Sequence, residues 1–285
     1  MGSPIDPAGE EVAHYQKYRK KYAAYDRDCF FGWPDLKPAT REFLGDNVGA
    51  LFNEDEPVPF CAAFRITEDL VMTANHCDIG SDKITLRLFG HPLAPMRLGE
   101  RIQMSGGASD LGDFAVFRVP DPMVKSRWSL QTFSREVHTR QAILIVASSN
   151  ITPEALLADD PDDVSEWLGN VRFSRTPSNQ IWLASEVAPP VPEGIPRSDC
   201  LFHRAPTFAG MSGAPIVAIT VPDNAPTKPI FHVIGIHLRS GYLPNGDHSK
   251  ACGNHFPFNV GIKVPAVVLD EVSKATAAEA VGKAP

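Results

Sequence analysis

The stretch PFCAAFRITEDLVMTANHC, residues 59–77, reads as a strand, a polar turn and a second strand ending on a histidine and a cysteine. Its apolar runs are too short for helices, and Thr67-Glu68-Asp69 supplies the hairpin tip between them. The same texture extends in both directions. NVGALF (47–52) precedes it, and KITLRLFG (83–90), RIQMSG (101–106) and FAVFRV (114–119) follow. Further runs are QAILIVAS (141–148), VRFSRT (171–176), QIWLAS (180–185), APIVAITV (214–221) and HVIGIHL (232–238). Many short strands broken by turns predict an antiparallel all-β barrel or sandwich. The 26 prolines fit strands and turns better than long helices.

Helical character is predicted chiefly towards the two ends. Residues 9–27, GEEVAHYQKYRKKYAAYDR, begin with acids and carry a tyrosine stripe at Tyr15, Tyr18, Tyr22 and Tyr25. Such a stripe packs on the body of a protein or, less commonly, meets a partner. Residues 264–281, VPAVVLDEVSKATAAEAV, have the apolar spacing of a closing helix. The acidic stretch 155–169, ALLADDPDDVSEWLG, reads as a surface insertion or short helix.

The 285 residues suffice for about two domains. A net charge of −7 and a pI near 5.7 argue against nucleic acid as a partner. No apolar run approaches the roughly 18 residues that span a bilayer, so no membrane partner is expected. The N-terminus lacks the basic-then-apolar stretch of a secretory signal, which fits an intracellular protein or one whose leader has been removed. Five cysteines leave at least one without an intrachain partner.

Three segments carry chemistry: Thr73-Ala74-Asn75-His76-Cys77, Gly112-Asp113-Phe114-Ala115-Val116, and Gly210-Met211-Ser212-Gly213-Ala214-Pro215. A serine hydroxyl attacks only when a base takes its proton, and an imidazole does this near neutral pH. A carboxylate behind the imidazole fixes its tautomer and stabilises the imidazolium. Glycines around Ser212 permit a turn whose Gly210 and Ser212 N–H groups converge on a developing oxyanion. Asp110 competes with Asp113, but the Ala-apolar sequence after Asp113 favours the latter.

In these motifs the chain resembles the trypsin/chymotrypsin-fold serine peptidases. Thr-Ala-x-His-Cys, Asp-x-Ala-apolar and Gly-x-Ser-Gly-x-Pro occur in that family's order, over roughly residues 46–270. The resemblance implies two six-stranded antiparallel β-barrels, with a helical extension at 1–45, a first barrel at 46–135 and a second barrel with closing helix at 136–285. It implies a serine endopeptidase acting through an acyl-enzyme on protein or peptide substrates, with His76, Asp113 and Ser212 as the triad. Gly210 and Ser212 would form the oxyanion hole, with no metal and no cofactor required. It also implies a disulfide between Cys61 and Cys77, and a substrate backbone paired along His237–Gly241. Asn259-Val260-Gly261-Ile262-Lys263-Val264 resembles the last barrel strand.

The departures are informative. Met211 replaces the acid that pairs with a newly cut N-terminal amine in trypsin-like zymogens, and no Ile-Val-Gly-Gly start is present. Bacterial glutamyl endopeptidases also lack that acid, and the chain resembles them more closely. Pro206 stands where trypsin has its pocket aspartate, which disfavours cleavage after Lys or Arg. Thr207 and His237 match the residues that bind an acidic P1 side chain, and Arg239 is placed to add charge; a small or apolar P1, with His237 merely packing, is the alternative. A partner acting through the N-terminal extension, or a catalytically silent binding module, is the rival to a constitutive protease. Cys200-Leu-Phe-His203 and Cys252-Gly-Asn-His255 allow unlinked thiols, a Cys200–Cys252 disulfide or a zinc site. Cys29, among Phe30, Phe31 and Trp33, reads as a buried thiol.

Overall fold

A computed structural model describes residues 30–54, 59–80, 83–102, 113–122, 133–138, 143–148, 171–174, 181–183, 196–207, 210–220, 230–239 and 259–282. The tyrosine-striped segment 9–27, the acidic stretch 155–169, Asp110, Cys29, Cys252 and His255 lie outside them. In chain order the described strands are β1 (Phe30–Gly32), β2 (Val48–Asn53), β3 (Cys61–Arg65), β4 (Leu70–Thr73), β5 (Ile84–Leu88), β6 (His91–Arg97) and β7 (Ala115–Arg118). They continue as β8 (Ile143–Ser148), β9 (Val171–Ser174), β10 (Ile181–Leu183), β11 (Cys200–His203), β12 (Pro215–Thr220), β13 (Ile230–Arg239) and β14 (Asn259–Lys263). Two helices are described, α1 (Pro38–Gly45) and the closing α2 (Ala266–Gly282).

The first sheet has the order β6-β5-β2-β3-β4-β7 with every pairing antiparallel. It closes on itself because the chain after β6 turns onto β7. Gly99 N–H donates to the Arg118 carbonyl at 2.7 Å, and Ile102 N–H donates to the Val116 carbonyl at 2.8 Å. Period-2 burial is clear in β5, where Ile84, Leu86 and Leu88 point inward while Thr85 and Arg87 do not. The β3–β4 hairpin is held as its sequence predicts: Leu70 N–H donates to Thr67 Oγ1 at 3.1 Å, and Thr67 donates to Asp69 at 2.8 Å. Arg65, fully buried, adds a bond from its guanidinium to the Glu68 carbonyl.

The second sheet has the order β1-β9-β8-β12-β13-β14-β11-β10. Its six central strands include β11, which is not among the expected strands, while the expected QIWLAS strand forms the three-residue β10 at one edge and β1 extends the other. The two-sheet, antiparallel, all-β architecture is that of a chymotrypsin-like fold. β1 comes from the N-terminal segment, which therefore contributes a strand to the second sheet as well as helix α1. Val268 and Val272 of α2 are buried against the core, so this helix closes the chain as its spacing predicts. Among the described residues, no helix is long and apolar enough to cross a membrane.

Candidate active site

The β4–β7 register builds the acid–base pair. Thr73 pairs with Ala115, so two further residues along each strand bring Asn75 opposite Asp113. The chain there makes a single 3-10 turn, Asn75–Cys77, closed by Cys77 N–H donating to the Ala74 carbonyl at 3.0 Å. Asp113 is then gripped by two groups of one residue. His76 N–H donates to Oδ1 at 3.0 Å, and the imidazole Nδ1 lies 2.8 Å from Oδ2. A proton on Nδ1 satisfies the carboxylate and leaves Nε2 as the base. Burial pushes the Asp113 carboxyl up, but the bond and charge of His76, with the backbone N–H groups of His76 and Asn75, outweigh it. The net effect holds the carboxyl below its ordinary range. His76 remains 46% exposed, open to a substrate.

The serine turn is fixed from both barrels. Gly210 and Gly213 have φ of 85° and 86°, the left-handed region that glycine reaches at least cost. Ala214 N–H donates to the Met211 carbonyl at 3.1 Å, and Gly213 N–H donates to the His237 carbonyl at 2.8 Å. From the first barrel, Ala62 N–H donates to the Ser212 carbonyl at 2.7 Å. Space is minimal there: a Cβ on Gly213 would sit 2.1 Å from the Ala62 carbonyl oxygen and 2.3 Å from Thr73 Oγ1. Cys61, next to Ala62, and Cys77, next to His76, are disulfide-bonded with Cα atoms 6.2 Å apart. Among the described residues, the N–H groups of Gly210 and Ser212 make no hydrogen bond, which leaves both to a ligand oxygen. Ser212 Oγ donates to the Leu238 carbonyl at 2.9 Å, and no hydrogen bond joins it to His76. β13 bulges against β14 at this point, and Leu238 is skipped in the register.

Beside the serine, His237 is 1% exposed and His203 fully buried, with Nδ1 of the former 3.1 Å from Nε2 of the latter. The sheet explains the encounter: His237 pairs with Gly261 and His203 with Asn259, two positions on one face of β14. Burial, with the charge of His76, lowers His237 from 6.5 to about 3. Burial and then His237 hold His203 well below its ordinary value, although the Ala205 backbone pushes the other way. His203 Nδ1 is buried without a hydrogen bond of normal geometry. Thr207 is half-buried and Pro206 buried, and Asn259 anchors the segment leading to them through a 2.6 Å bond to the Ala205 carbonyl.

Two sequence expectations need correction. The bulge makes Arg239 pair with Val260 while His237 pairs with Gly261, so Arg239 falls on the opposite face from His237. Its charge acts instead on Cys200, which pairs with Ile262 on that other face. The zinc reading of Cys200 and His203 fails for a similar reason, since residues three apart on β11 face opposite sides. Cys200 is an unbridged thiol, pushed up to about 11 by burial and by Asp199, with its Sγ 3.6 Å from the Pro196 carbonyl. Cys61, His76 and Cys77 also cluster, but two of the three are spent in the disulfide. Sequence reasoning missed His203 as a partner of His237, having weighed it only as a C-x-x-H ligand.

These features define a trypsin/chymotrypsin-like fold by architecture. Solved structures with this fold include a Glu endopeptidase in complex with MPD, with a TM-score of 0.50 and 15% identity, covering 88% of this chain and 97% of that one. Kallikrein-related peptidase 10 matches with a TM-score of 0.50 and 15% identity over 82% of this chain and 97% of its own. A scabies mite inactivated protease paralogue matches with 0.50 and 13% over 81% and 92%. At such identities the likeness concerns the fold alone. No protein-family model and no curated protein matches the chain.

Proposed function

We propose that the chain is a serine endopeptidase. The observation that carries the reading is the two-point grip of His76 on Asp113, combined with a glycine-flanked serine turn whose two N–H groups are unspent among the described residues. In this reading a peptide carbonyl enters with its oxygen on the Gly210 and Ser212 N–H groups. Ser212 Oγ leaves the Leu238 carbonyl, passes its proton to His76 Nε2 and bonds to the carbonyl carbon. Asp113 stabilises the imidazolium, which then protonates the departing amine. Water, deprotonated by the same nitrogen, releases the acyl group and restores the hydroxyl. One such N–H donor is worth roughly 3 kcal/mol of barrier.

An acidic P1 residue is the favoured substrate. If His203 Nε2–H donates to His237 Nδ1, the remaining proton of His237 sits on Nε2 and serves as a donor to a carboxylate, with the Thr207 hydroxyl as a second candidate donor. Arg239, on the other face, has no part in this pocket. A peptide with P1 Glu is expected to turn over at least tenfold faster than its Gln counterpart, and His237→Ala to remove the difference. Equal rates for the two peptides in the wild-type protein would refute the acidic preference.

The bond from Ser212 Oγ to Leu238 favours a second reading, a silent protease-fold binding module. A fluorophosphonate probe separates the two. Labelling that Ser212→Ala abolishes supports the enzyme, and a folded protein that resists the probe supports the module.

A further inference from the structure

Met211 lies between the two N–H groups offered to an oxyanion, and its side chain is fully buried. The cluster that receives it also contains Ala62, Ile143, Ile145, Ile216 and Phe30. Ala62 is the residue whose N–H holds the Ser212 carbonyl. Phe30, 4% exposed, arrives on β1, at the sheet edge and from the segment preceding the first barrel. A turn with two glycines at positive φ is conformationally permissive, so something must hold the intervening peptides in one orientation. Only one side chain besides that of Ser212 lies between these glycines, and it is apolar and enclosed.

We propose that Met211 and Phe30 form an apolar latch that sets the oxyanion turn, with both acting as positioning residues and β1 as part of the active-site architecture. The inference rests on the serine-peptidase reading for its catalytic meaning, but the latch itself is a statement about the turn. Burial of Met211 draws the 210–212 backbone down onto the second barrel and leaves its N–H groups outward. Phe30 closes the same cluster from the edge, so loosening β1 releases the turn without touching any group that contacts substrate. An apolar latch carries no charge, so it needs no freed amine and no partner carboxylate to engage.

The test compares wild type, Met211→Ala, Met211→Leu, Phe30→Ala, Phe30→Leu and the double alanine variant. Hydrogen exchange of a peptide covering residues 210–214 reads the turn, because Gly213 and Ala214 donate the bonds that close it. Exchange there is expected to rise at least about tenfold in each alanine variant, and to stay within about threefold of wild type in the leucine variants, which keep the bulk. Ser212 labelling and kcat should fall by about the same tenfold while KM moves less than about threefold. The double variant should be no worse than the poorer single one, since both break one latch. Unchanged exchange at 210–214 in folded Phe30→Ala, or effects that multiply in the double variant, would overturn the proposal. A wild-type protein that never labels would overturn the peptidase reading instead, and the exchange measurements would still decide the latch.

Discussion

Acid should unfold this protein through its buried imidazole pair before it reaches the carboxylates. His237 is held at about 3 by burial and by the charge of His76, against an ordinary 6.5. Below about pH 6.5 the unfolded chain therefore takes up a proton that the folded chain refuses, and stability falls as pH falls. At about pH 5 the unfolded imidazole is nearly all protonated and the folded one nearly all neutral. The loss relative to about pH 7.5 is then about 2 kcal/mol, and any folded value well below 5 gives the same figure. His203 adds a loss of the same sign, since burial also lowers it. Asp113 adds little in this window, because it is ionised in both states at about pH 5 and its depressed value matters only further down. Urea unfolding at the two pH values, on wild type and His237→Gln, measures the effect. Glutamine does not titrate, so the variant's own pH difference should be smaller by about 2 kcal/mol, whatever its absolute stability. An identical pH difference in the two proteins would refute the argument.

Gly213→Ala places a Cβ against the Ala62 carbonyl and Thr73 Oγ1 at positive φ. It is expected to cost more than about 3 kcal/mol and to abolish Ser212 labelling, as read by thermal unfolding and probe incorporation. Arg101 braces the histidine turn from outside, with Nη1 3.0 Å from Asp78 Oδ2 and Nη2 2.5 Å from Asn75 Oδ1. Arg101→Gln should lower kcat about fivefold while changing stability by less than about 1 kcal/mol, because the ion pair is partly exposed. A loss confined to stability would mean that the brace does not reach His76.

The acid–base pair was legible because both motifs sit at the ends of adjacent strands, where sequence position nearly dictates spatial position. Strands with buried alternation, such as β5, and the glycine-flanked serine turn were legible for the same local reason. β6 was not, because Pro92 and Pro95 argue against a strand, yet among named strands β6 pairs only with β5 and so tolerates missing donors. α1 went unread although Pro38 at its first turn is a start signal. β1 is three residues whose strand partner lies about 140 positions away, and nothing local announces it. The placement of Arg239 turned on a single-residue bulge, which reverses the face of every later side chain without changing the sequence pattern. His203 and His237 meet only because β14 lies between their strands, a fact of topology rather than of spacing.

The 2.7 Å bond from Ala62 to the Ser212 carbonyl has a consequence for how the chain behaves as a machine of two halves. Ser212 belongs to one half, yet its carbonyl is tied down by the other, which also holds the His76–Asp113 pair. If the chain is the serine peptidase proposed above, its hydrolytic competence works as a coincidence signal, present only while the halves are docked in register. On that reading, a chain cut between residues 122 and 133 is expected to stay silent until its two fragments reassemble.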